Sequence, residues 1–440
     1  MALSWRRVFV LSLGSALLVN VSLGPMAGEI GAASVLVWGC SAFIGLVQCL
    51  VLGELGSRYP DLSGGPPAYV HAGLSHVSPL WGGMAAWAYW TAWIPGVAVH
   101  VLLAATYVNA LWPDVDRPLI VAALLALLYG VNYFGLGVTF WTSSVMAACC
   151  IGPLVLILAV PLLRHADPGA AFPVVFSAGQ VASLPSFLIV TKWMFVAAWS
   201  AYAAEMATTL ISGLRGRRRA IPKVLGLAGV VTLASFTLVP AALIMNVGAS
   251  TLAAEPYIVF LTATRGLFGA AGTTVVGVML IAALLSSAQL FIISSSRALY
   301  EMSRKGLMPR VLTRVNRYDV PVGSVGWDAA VTLALVGIFG DNVVNIVAAA
   351  NVSYLLVFVL LPAAYLVVRR RETPSPGVWV LPPFMTAVAC GVLLINALLL
   401  IVGALQWGAV VVAVGLLLVA AGIPVCIFSR RAPVVIARVS

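Results

Sequence analysis

The chain has 440 residues, of which 62% are hydrophobic and only 8% are charged, and its formal net charge is +11. Soluble domains carry about 25% charged residues, so this composition excludes an ordinary soluble protein and indicates a polytopic membrane protein. The basic residues flank apolar runs and form no stripe with interleaved aromatic residues, so we expect no nucleic-acid partner.

Twelve apolar segments are long enough to span a bilayer, which requires roughly 20 residues each. We therefore predict an all-α polytopic membrane protein. Its predicted membrane helices are residues 8–32, 34–55, 80–110, 118–136, 139–163, 184–211, 223–247, 266–302, 323–340, 343–368, 380–405 and 407–429. The third and eighth are long, so we expect them to tilt or to extend beyond the bilayer. The first could pass for a signal peptide, but it shows no clear cleavage site and is interpreted as a membrane helix.

Positive charges fall in every second gap between these segments. If the N-terminus is inside, 20 of the 24 Lys and Arg residues lie in cytoplasmic segments, where short basic loops are retained. The exceptions are Arg117, Arg164 and Arg265 in outer loops and Lys192 within the sixth helix. The pattern predicts a multi-pass protein of the cell membrane with both termini cytoplasmic.

Five ionisable residues lie within or near the predicted membrane helices, where such groups are costly and indicate function by default. Glu205 is interpreted as a carboxylate linked to a proton or to the substrate; the alternative is a structural acid bonded to nearby backbone. Lys192 and Glu29 could instead reach the outer interface. Glu54 and Asp328 lie close to cytoplasmic helix ends, where capping and loop pairing would account for them.

The first predicted helix contains small and polar residues near mid-membrane. Gly14, Ser15, Asn20 and Ser22 precede Gly24 and its proline neighbour, a combination that weakens a helix and frees backbone groups. Broken helices of this kind line the substrate site in secondary transporters. The alternative is a kinked helix that serves only packing.

Four motifs resemble the amino acid–polyamine–organocation transporter family. Residues 53–60 read Gly-Glu-Leu-Gly-Ser-Arg-Tyr-Pro and are followed by Ser-Gly-Gly-Pro at 63–66. Residues 296–309 read Ser-Arg-Ala-Leu-Tyr-Glu-Met-Ser-Arg-Lys-Gly-Leu-Met-Pro, and residues 219–223 match the short basic link after helix six. Residues 132–136, Asn-Tyr-Phe-Gly-Leu, are similar to the polyamine-type branch.

The resemblance implies a five-plus-five inverted repeat of the leucine-transporter type. Helices one to five would lie in residues 1–163, helices six to ten in residues 184–368, and two further helices in residues 380–429. Helices one and six would be broken at a central site, with alternating access driven by a proton gradient or by exchange.

The resemblance also assigns site residues. Glu205 falls on the acidic position just after the helix-six break, as the coupling residue, and Trp199, Ser200 and Tyr202 fall in or beside the break, where the family holds the substrate. The predicted substrate-binding residues are Gly14, Ser15, Asn20, Ser22, Trp199, Ser200 and Tyr202. Further lining candidates, for each of which ordinary packing is the alternative, are Trp90, Trp93, Ser286, Ser287 and Gln289.

Two positions depart from the family pattern. The Gly-x-Gly of the helix-one break, which cradles a substrate carboxylate, is replaced by Ala-Leu-Leu at 16–18. A helix-five lysine that some members carry is replaced by Cys150. The first departure favours an amine or an unusual amino acid. The second argues against coupling through that lysine, because a thiol cannot replace a permanent cation.

The predicted function is secondary active transport of an amino acid, amine or related small organic cation, proton-coupled or by exchange. The alternative is a channel or partner subunit of similar fold, although neither a filter-like loop nor rings of charge are visible. An enzyme is disfavoured because the histidines are dispersed: His71, His76, His100 and His165. We expect no catalytic residue, no metal and no cofactor; the expected partners are a small substrate, a proton and the lipid bilayer.

Overall fold

The computed structural model describes residues 4–12, 18–163, 184–214, 216–339 and 343–430. Within those ranges the protein is helical, with no strand. The described α-helices are α1 Trp5–Ser12, α2 Leu23–Ile30, α3 Ala33–Arg58, α4 Pro66–Leu74, α5 Leu80–Leu111, α6 Arg117–Tyr133, α7 Leu136–Leu163, α8 Leu184–Ala201, α9 Arg217–Ala254, α10 Val259–Arg304, α11 Val322–Phe339, α12 Val343–Arg371, α13 Met385–Leu398 and α14 Ala409–Arg430. Three 3₁₀ segments, residues 18–21, Ala203–Gly213 and Arg310–Thr313, and a π-helical turn, Leu399–Gly403, are also described.

Nine helical stretches in the described ranges are long and apolar enough to cross a membrane, judged by length and composition. Two shorter apolar helices, Arg117–Tyr133 and Val322–Gly337, coincide with the fourth and ninth predicted segments. The remaining predicted segment, the first, overlaps α1 and contains α2. The chain is thus a multi-pass helical membrane protein, and the complete arrangement of twelve helices stays a prediction.

Long helices bend at glycines. The eighth predicted segment is contained in α10, which is interrupted at Gly269 (φ 62°), and the seventh lies in α9, which is interrupted at Gly248 (φ 79°). A positive φ is readily adopted by glycine because it lacks a Cβ atom. Residues 249–254 of α9 and residues 259–268 of α10 are therefore helical, but a kink separates them from the rest of their helices.

The short helix α4 was not predicted. It has 9 residues, too few to span a bilayer, and it begins with Pro66 and Pro67 at its first positions. Proline is well placed there, because its fixed φ suits the first turn and its missing N–H would have no helical partner. Apolar length alone therefore gave no signal for this element.

The first predicted helix is interrupted. Helix α1 ends at Ser12, residues 18–21 form a 3₁₀ turn, and α2 begins at Leu23. Gly24 lies so close to the backbone of Pro256 that a Cβ atom would collide with it. Gly14 and Ser15 lie outside the described residues, so the predicted break at the central site stays a prediction.

Three helix pairs dominate the core. Helix α3 packs along α9, and α5 packs along both α10 and α12, while α1 packs against α9 and the 3₁₀ segment Ala203–Gly213. Glycine permits such close approach: a Cβ atom on Gly229 of α9 would lie 2.8 Å from a Leu46 methyl of α3. These pairings join predicted helix two to seven and three to eight. The inverted repeat itself stays a prediction.

Candidate substrate site

The helix-six segment changes its backbone geometry at Tyr202. The amide of Tyr202 still donates to the Ala198 carbonyl at 3.0 Å, whereas the Glu205 amide donates to the Tyr202 carbonyl at 3.1 Å, the i to i+3 spacing of a 3₁₀ helix. Gly45 of α3 abuts the Ala201 carbonyl so closely that a Cβ atom would collide with it. The absence of that side chain allows α3 to pack directly against the change in helix type.

Glu205, in the first turn of the 3₁₀ segment, is fully buried. Its Oε2 accepts a hydrogen bond from the Tyr89 hydroxyl at 3.2 Å, and its Oε1 has no hydrogen-bond partner among the described residues. The indole nitrogen of Trp93 and the hydroxyl of Tyr354 are likewise buried without a hydrogen-bond partner among the described residues. A buried polar atom without a partner is uncommon and costly, so this oxygen is a candidate for binding a proton or a ligand cation.

Four aromatic side chains, each from a different helix, pack together beside this carboxylate, with Trp93 at their centre. The Trp93 ring centroid lies 4.8 Å from Phe291, 5.1 Å from Trp199 and 4.8 Å from Tyr354. The Trp199 indole donates to the Ala92 carbonyl at 2.9 Å, which fixes the orientation of its ring. We call Trp93, Trp199, Phe291 and Tyr354 the aromatic cluster. Its faces, next to a carboxylate, suit an organic cation.

The structure brings Trp199 and Glu205, two of the predicted site residues, to this cluster. Ser200, which follows Trp199 in the chain, is buried, and its hydroxyl has no hydrogen-bond partner among the described residues. The Tyr202 ring packs 6.4 Å from that of Tyr354, but its hydroxyl donates to the Asn396 side chain at 3.0 Å. The hydroxyl of Tyr202 is therefore engaged by α13.

The predicted helix-one residues lie elsewhere in the hydrogen-bond network. The Asn20 side chain accepts a long hydrogen bond, 3.4 Å, from the Tyr107 hydroxyl of α5. Ser22 is fully buried and its hydroxyl has no partner in the described ranges. No hydrogen bond between described residues joins Asn20 or Ser22 to Glu205, and Gly14 and Ser15 lie outside the description, as does the side chain of Cys150.

The lining candidates divide between two roles. Trp93 belongs to the aromatic cluster, whereas three of the others make packing hydrogen bonds: Ser286 and Gln289 bond to neighbouring helices and Ser287 bonds within α10. Ser286 donates to the Ser143 carbonyl at 3.4 Å, the Ser287 hydroxyl donates to the Ala283 carbonyl at 3.2 Å, and Gln289 accepts from Asn132.

Asp328 is a second fully buried carboxylate near the start of α11, and neither capping nor loop pairing accounts for its contacts. Its Oδ1 accepts from the Trp90 indole at 2.6 Å and its Oδ2 lies 3.2 Å from the Ser295 hydroxyl, which joins α11 to α5 and α10. No basic side chain forms an ion pair with it among the described residues. The signal in the sequence was a single acid in an otherwise apolar helix.

Glu54 is buried but fully paired, in agreement with loop pairing. Its Oε1 contacts Arg58 at 2.8 Å and Arg369 at 3.3 Å, and its Oε2 accepts from the Tyr365 hydroxyl at 2.9 Å and the Leu381 amide at 3.0 Å. This carboxylate thus connects the end of α3 with α12 and the chain that precedes α13.

Lys192 and Glu29, considered separately in the sequence, form one ion pair. The Lys192 ammonium lies 2.6 and 2.7 Å from the two carboxylate oxygens of Glu29, and it also sits 5.3 Å from the Trp193 ring and 5.1 Å from the Trp407 ring. The pair ties α2 to α8, the two helices next to the interrupted segments.

Comparison with known proteins places the chain in a family of transporters. A family model described as amino acid permease matches residues 3–428. An uncharacterised transporter of Mycobacterium tuberculosis is 30% identical over 362 residues, 79% of this chain and 78% of the relative. A probable polyamine transporter of Arabidopsis thaliana is 25% identical over 402 residues, covering 86% and 75%, and a polyamine transporter of Oryza sativa subsp. japonica is 26% identical over 400 residues, covering 85% and 69%.

Proposed function

Because the chain belongs to the amino acid permease family of the amino acid–polyamine–organocation superfamily, whose members are transporters and not enzymes, we propose that it is a secondary transporter of amines. Its substrates would be small organic cations that carry a protonated amine, of the polyamine or cationic amino acid type. Transport would proceed by alternating access, with a proton or a second substrate molecule as the exchanged partner.

The observation that carries this proposal is the unpartnered oxygen of Glu205 beside the aromatic cluster. An ammonium group donates up to three hydrogen bonds and is attracted to both a carboxylate and aromatic faces. The site therefore offers what an amine needs, and the names of two relatives, both polyamine transporters, agree with an amine substrate.

A carboxylate substrate group has no comparable support. The Gly-x-Gly cradle of the family is replaced by Ala-Leu-Leu at 16–18, and those residues cannot supply the glycine backbone that the family uses. Binding that depends on the amine alone favours substrates without an α-carboxylate.

Glu205 would also carry the coupling. A buried carboxylate holds either a proton or a cationic ligand, since an uncompensated charge in a membrane interior is costly. Amine binding would displace the proton, and reprotonation would release the amine on the other side. This assigns one group to both steps and gives exchange of proton for amine.

The remaining assignments complete the proposal. We place both termini and the basic loops in the cytoplasm of a cell-membrane protein, by the distribution of Lys and Arg. Residues 1–163 and 184–368 would form the two inverted repeats, with residues 380–429 as the two additional helices. Gly14, Ser15, Asn20, Ser22, Ser200 and Tyr202 would line the site in conformations that open it.

Uptake into proteoliposomes containing the purified protein tests the function. Labelled putrescine, spermidine, arginine and leucine are compared with and without an imposed pH gradient, in the wild type and in Glu205→Gln. We expect amine uptake by the wild type that responds to the gradient, and its loss in Glu205→Gln. Normal amine uptake and unchanged pH dependence in Glu205→Gln would disprove the assigned role.

A matched control separates the site from a general loss of charge. Glu255 forms a surface ion pair with Arg265, 3.1 Å long, in which both side chains are more than one third exposed. Glu255→Gln therefore removes an acid without touching the site, and we expect it to transport like the wild type. Uptake of leucine in preference to every amine would contradict the proposed substrate class.

A further inference from the structure

His100 lies on α5 at the far end of the aromatic cluster from Glu205. Tyr89, the hydrogen-bond donor to Glu205, and Trp93 precede it on the same helix. The His100 ring meets Phe291 edge-on at 4.9 Å and lies 6.2 Å from Trp199. Two successive ring contacts, from Trp93 to Phe291 and from Phe291 to His100, therefore connect it with the carboxylate region.

The hydrogen bonds of His100 determine which nitrogen carries the proton. Its Nδ1 lies 2.8 Å from the Gly96 carbonyl oxygen, which can only accept, so Nδ1 must donate. In the neutral imidazole Nε2 then holds a lone pair and can only accept. This Nε2 atom has no partner among the described residues, and the side chain is fully buried.

We propose that Nε2 of His100 is a second amine-binding acceptor, which receives an N–H group from the distal end of an elongated diamine or polyamine. The proximal ammonium of the same molecule would lie at Glu205. This inference rests on the proposed function, since it names a further specificity-determining residue of the same site. The substrate class is thereby narrowed from amines in general to amines with two separated nitrogen groups.

The chemistry of the two ends supports this choice of ligand. Both Glu205 Oε1 and His100 Nε2 are buried acceptors without a partner in the described ranges, and aromatic rings lie between them. A linear polyamine offers donors at its ends and methylene groups between them, which match acceptors and rings in that order. A carboxylate at the His100 end would meet a lone pair and would be repelled.

The size of the expected effect follows from the loss of a single hydrogen bond. Removing the acceptor leaves the distal N–H of a bound polyamine without a partner, which weakens binding by about tenfold. A monoamine does not reach His100, so its affinity is expected to stay the same. The diagnostic quantity is thus the ratio of polyamine to monoamine affinity.

Competition for substrate uptake in proteoliposomes measures that ratio with spermidine and butylamine. His100→Phe removes the acceptor and keeps a ring against Phe291; we expect the spermidine affinity to fall by about tenfold and that of butylamine to stay within about twofold. His100→Gln restores an acceptor oxygen at similar reach and is expected to regain part of the preference. The control is His76→Phe, since His76 is exposed in the loop that connects α4 to α5.

The outcomes separate the two proposals. Equal loss for both amines, or no change for either, overturns the role of His100 whatever Glu205 does. If Glu205→Gln leaves butylamine uptake normal, the proposed function fails independently of His100. If His100→Phe does not fold, the ratio of spermidine to butylamine affinity is compared between His100→Asn and His100→Gln. The Asn amide is too short to replace Nε2. Equal ratios in these two variants would overturn the inference.

Discussion

The indole nitrogen of Trp90 lies 2.6 Å from Oδ1 of Asp328, so an aromatic residue of α5 holds a buried acid of α11. Ser295 of α10 supplies the second contact at 3.2 Å. Three helices therefore meet at a single carboxyl group inside the membrane. Because the described residues offer it no cation, its two hydrogen-bond partners are its main compensation.

Replacing Trp90 by Phe should destabilise the protein. The substitution keeps an aromatic side chain but leaves Oδ1 of Asp328 without its donor, which costs about 1–3 kcal/mol. A lower melting temperature in detergent is the expected result. Trp141→Phe is the matched control, since the Trp141 side chain is 70% exposed and should tolerate the change. Equal melting temperatures for the two variants would refute the structural role of the bond.

Neutralising Glu54 should destabilise the protein more than Trp90→Phe does. Glu54→Gln leaves the guanidinium groups of Arg58 and Arg369, whose side chains are 5% and 10% exposed, without their shared anion. Breaking a buried ion pair by removing one partner costs about 3–5 kcal/mol. The measurement is again the melting temperature, together with the yield of monodisperse protein.

The control for Glu54 is the exposed pair of Glu255 and Arg265. Exposed ion pairs contribute about 0–1 kcal/mol, so Glu255→Gln should change the melting temperature little. A Glu54→Gln variant as stable as Glu255→Gln would show that the connection between α3 and α12 contributes little to stability.

Lys192 and Glu29 should show a coupling between α2 and α8. The pair is partly exposed, with side-chain exposures of 22% and 37%, so its coupling free energy should be about 0.2–1 kcal/mol and should weaken with added salt. A double-mutant cycle of Glu29→Gln and Lys192→Met measures it as a difference of melting temperatures. Strictly additive effects at low salt would mean that the two charges do not interact.

The sequence predicted the membrane helices well because apolar length is a one-dimensional signal. The predicted segment 80–110 is α5, Leu80–Leu111, and the predicted segment 343–368 lies within α12, Val343–Arg371. Helix α4 was missed because it is too short for that criterion. The bends at Gly248 and Gly269 were missed because glycine is common in membrane helices and its φ depends on the surrounding packing.

The site was only partly predictable for a similar reason. Trp199 and Glu205 lie within one stretch of seven residues, 199–205, so a local motif indicates both. The partners Tyr89 and Phe291 lie far away in sequence, and nothing in a single chain records which faces of two helices meet. The orphaned Nε2 of His100 depends on its bond to Gly96 and on the rings around it, which appear only once the helices are packed.

Gly45 provides the last prediction, because it lies directly against the change from α-helix to 3₁₀ helix at Tyr202. A Cβ atom at this position would collide with the Ala201 carbonyl and would lie 3.2 Å from the Tyr202 ring. Gly45→Ala should therefore force α3 away from the break, with a cost of about 1–3 kcal/mol and impaired uptake. Gly391→Ala is the control, since nothing lies within 4 Å of its added methyl group and alanine favours the helix. Wild-type uptake and stability in Gly45→Ala would mean that the break does not require this close contact.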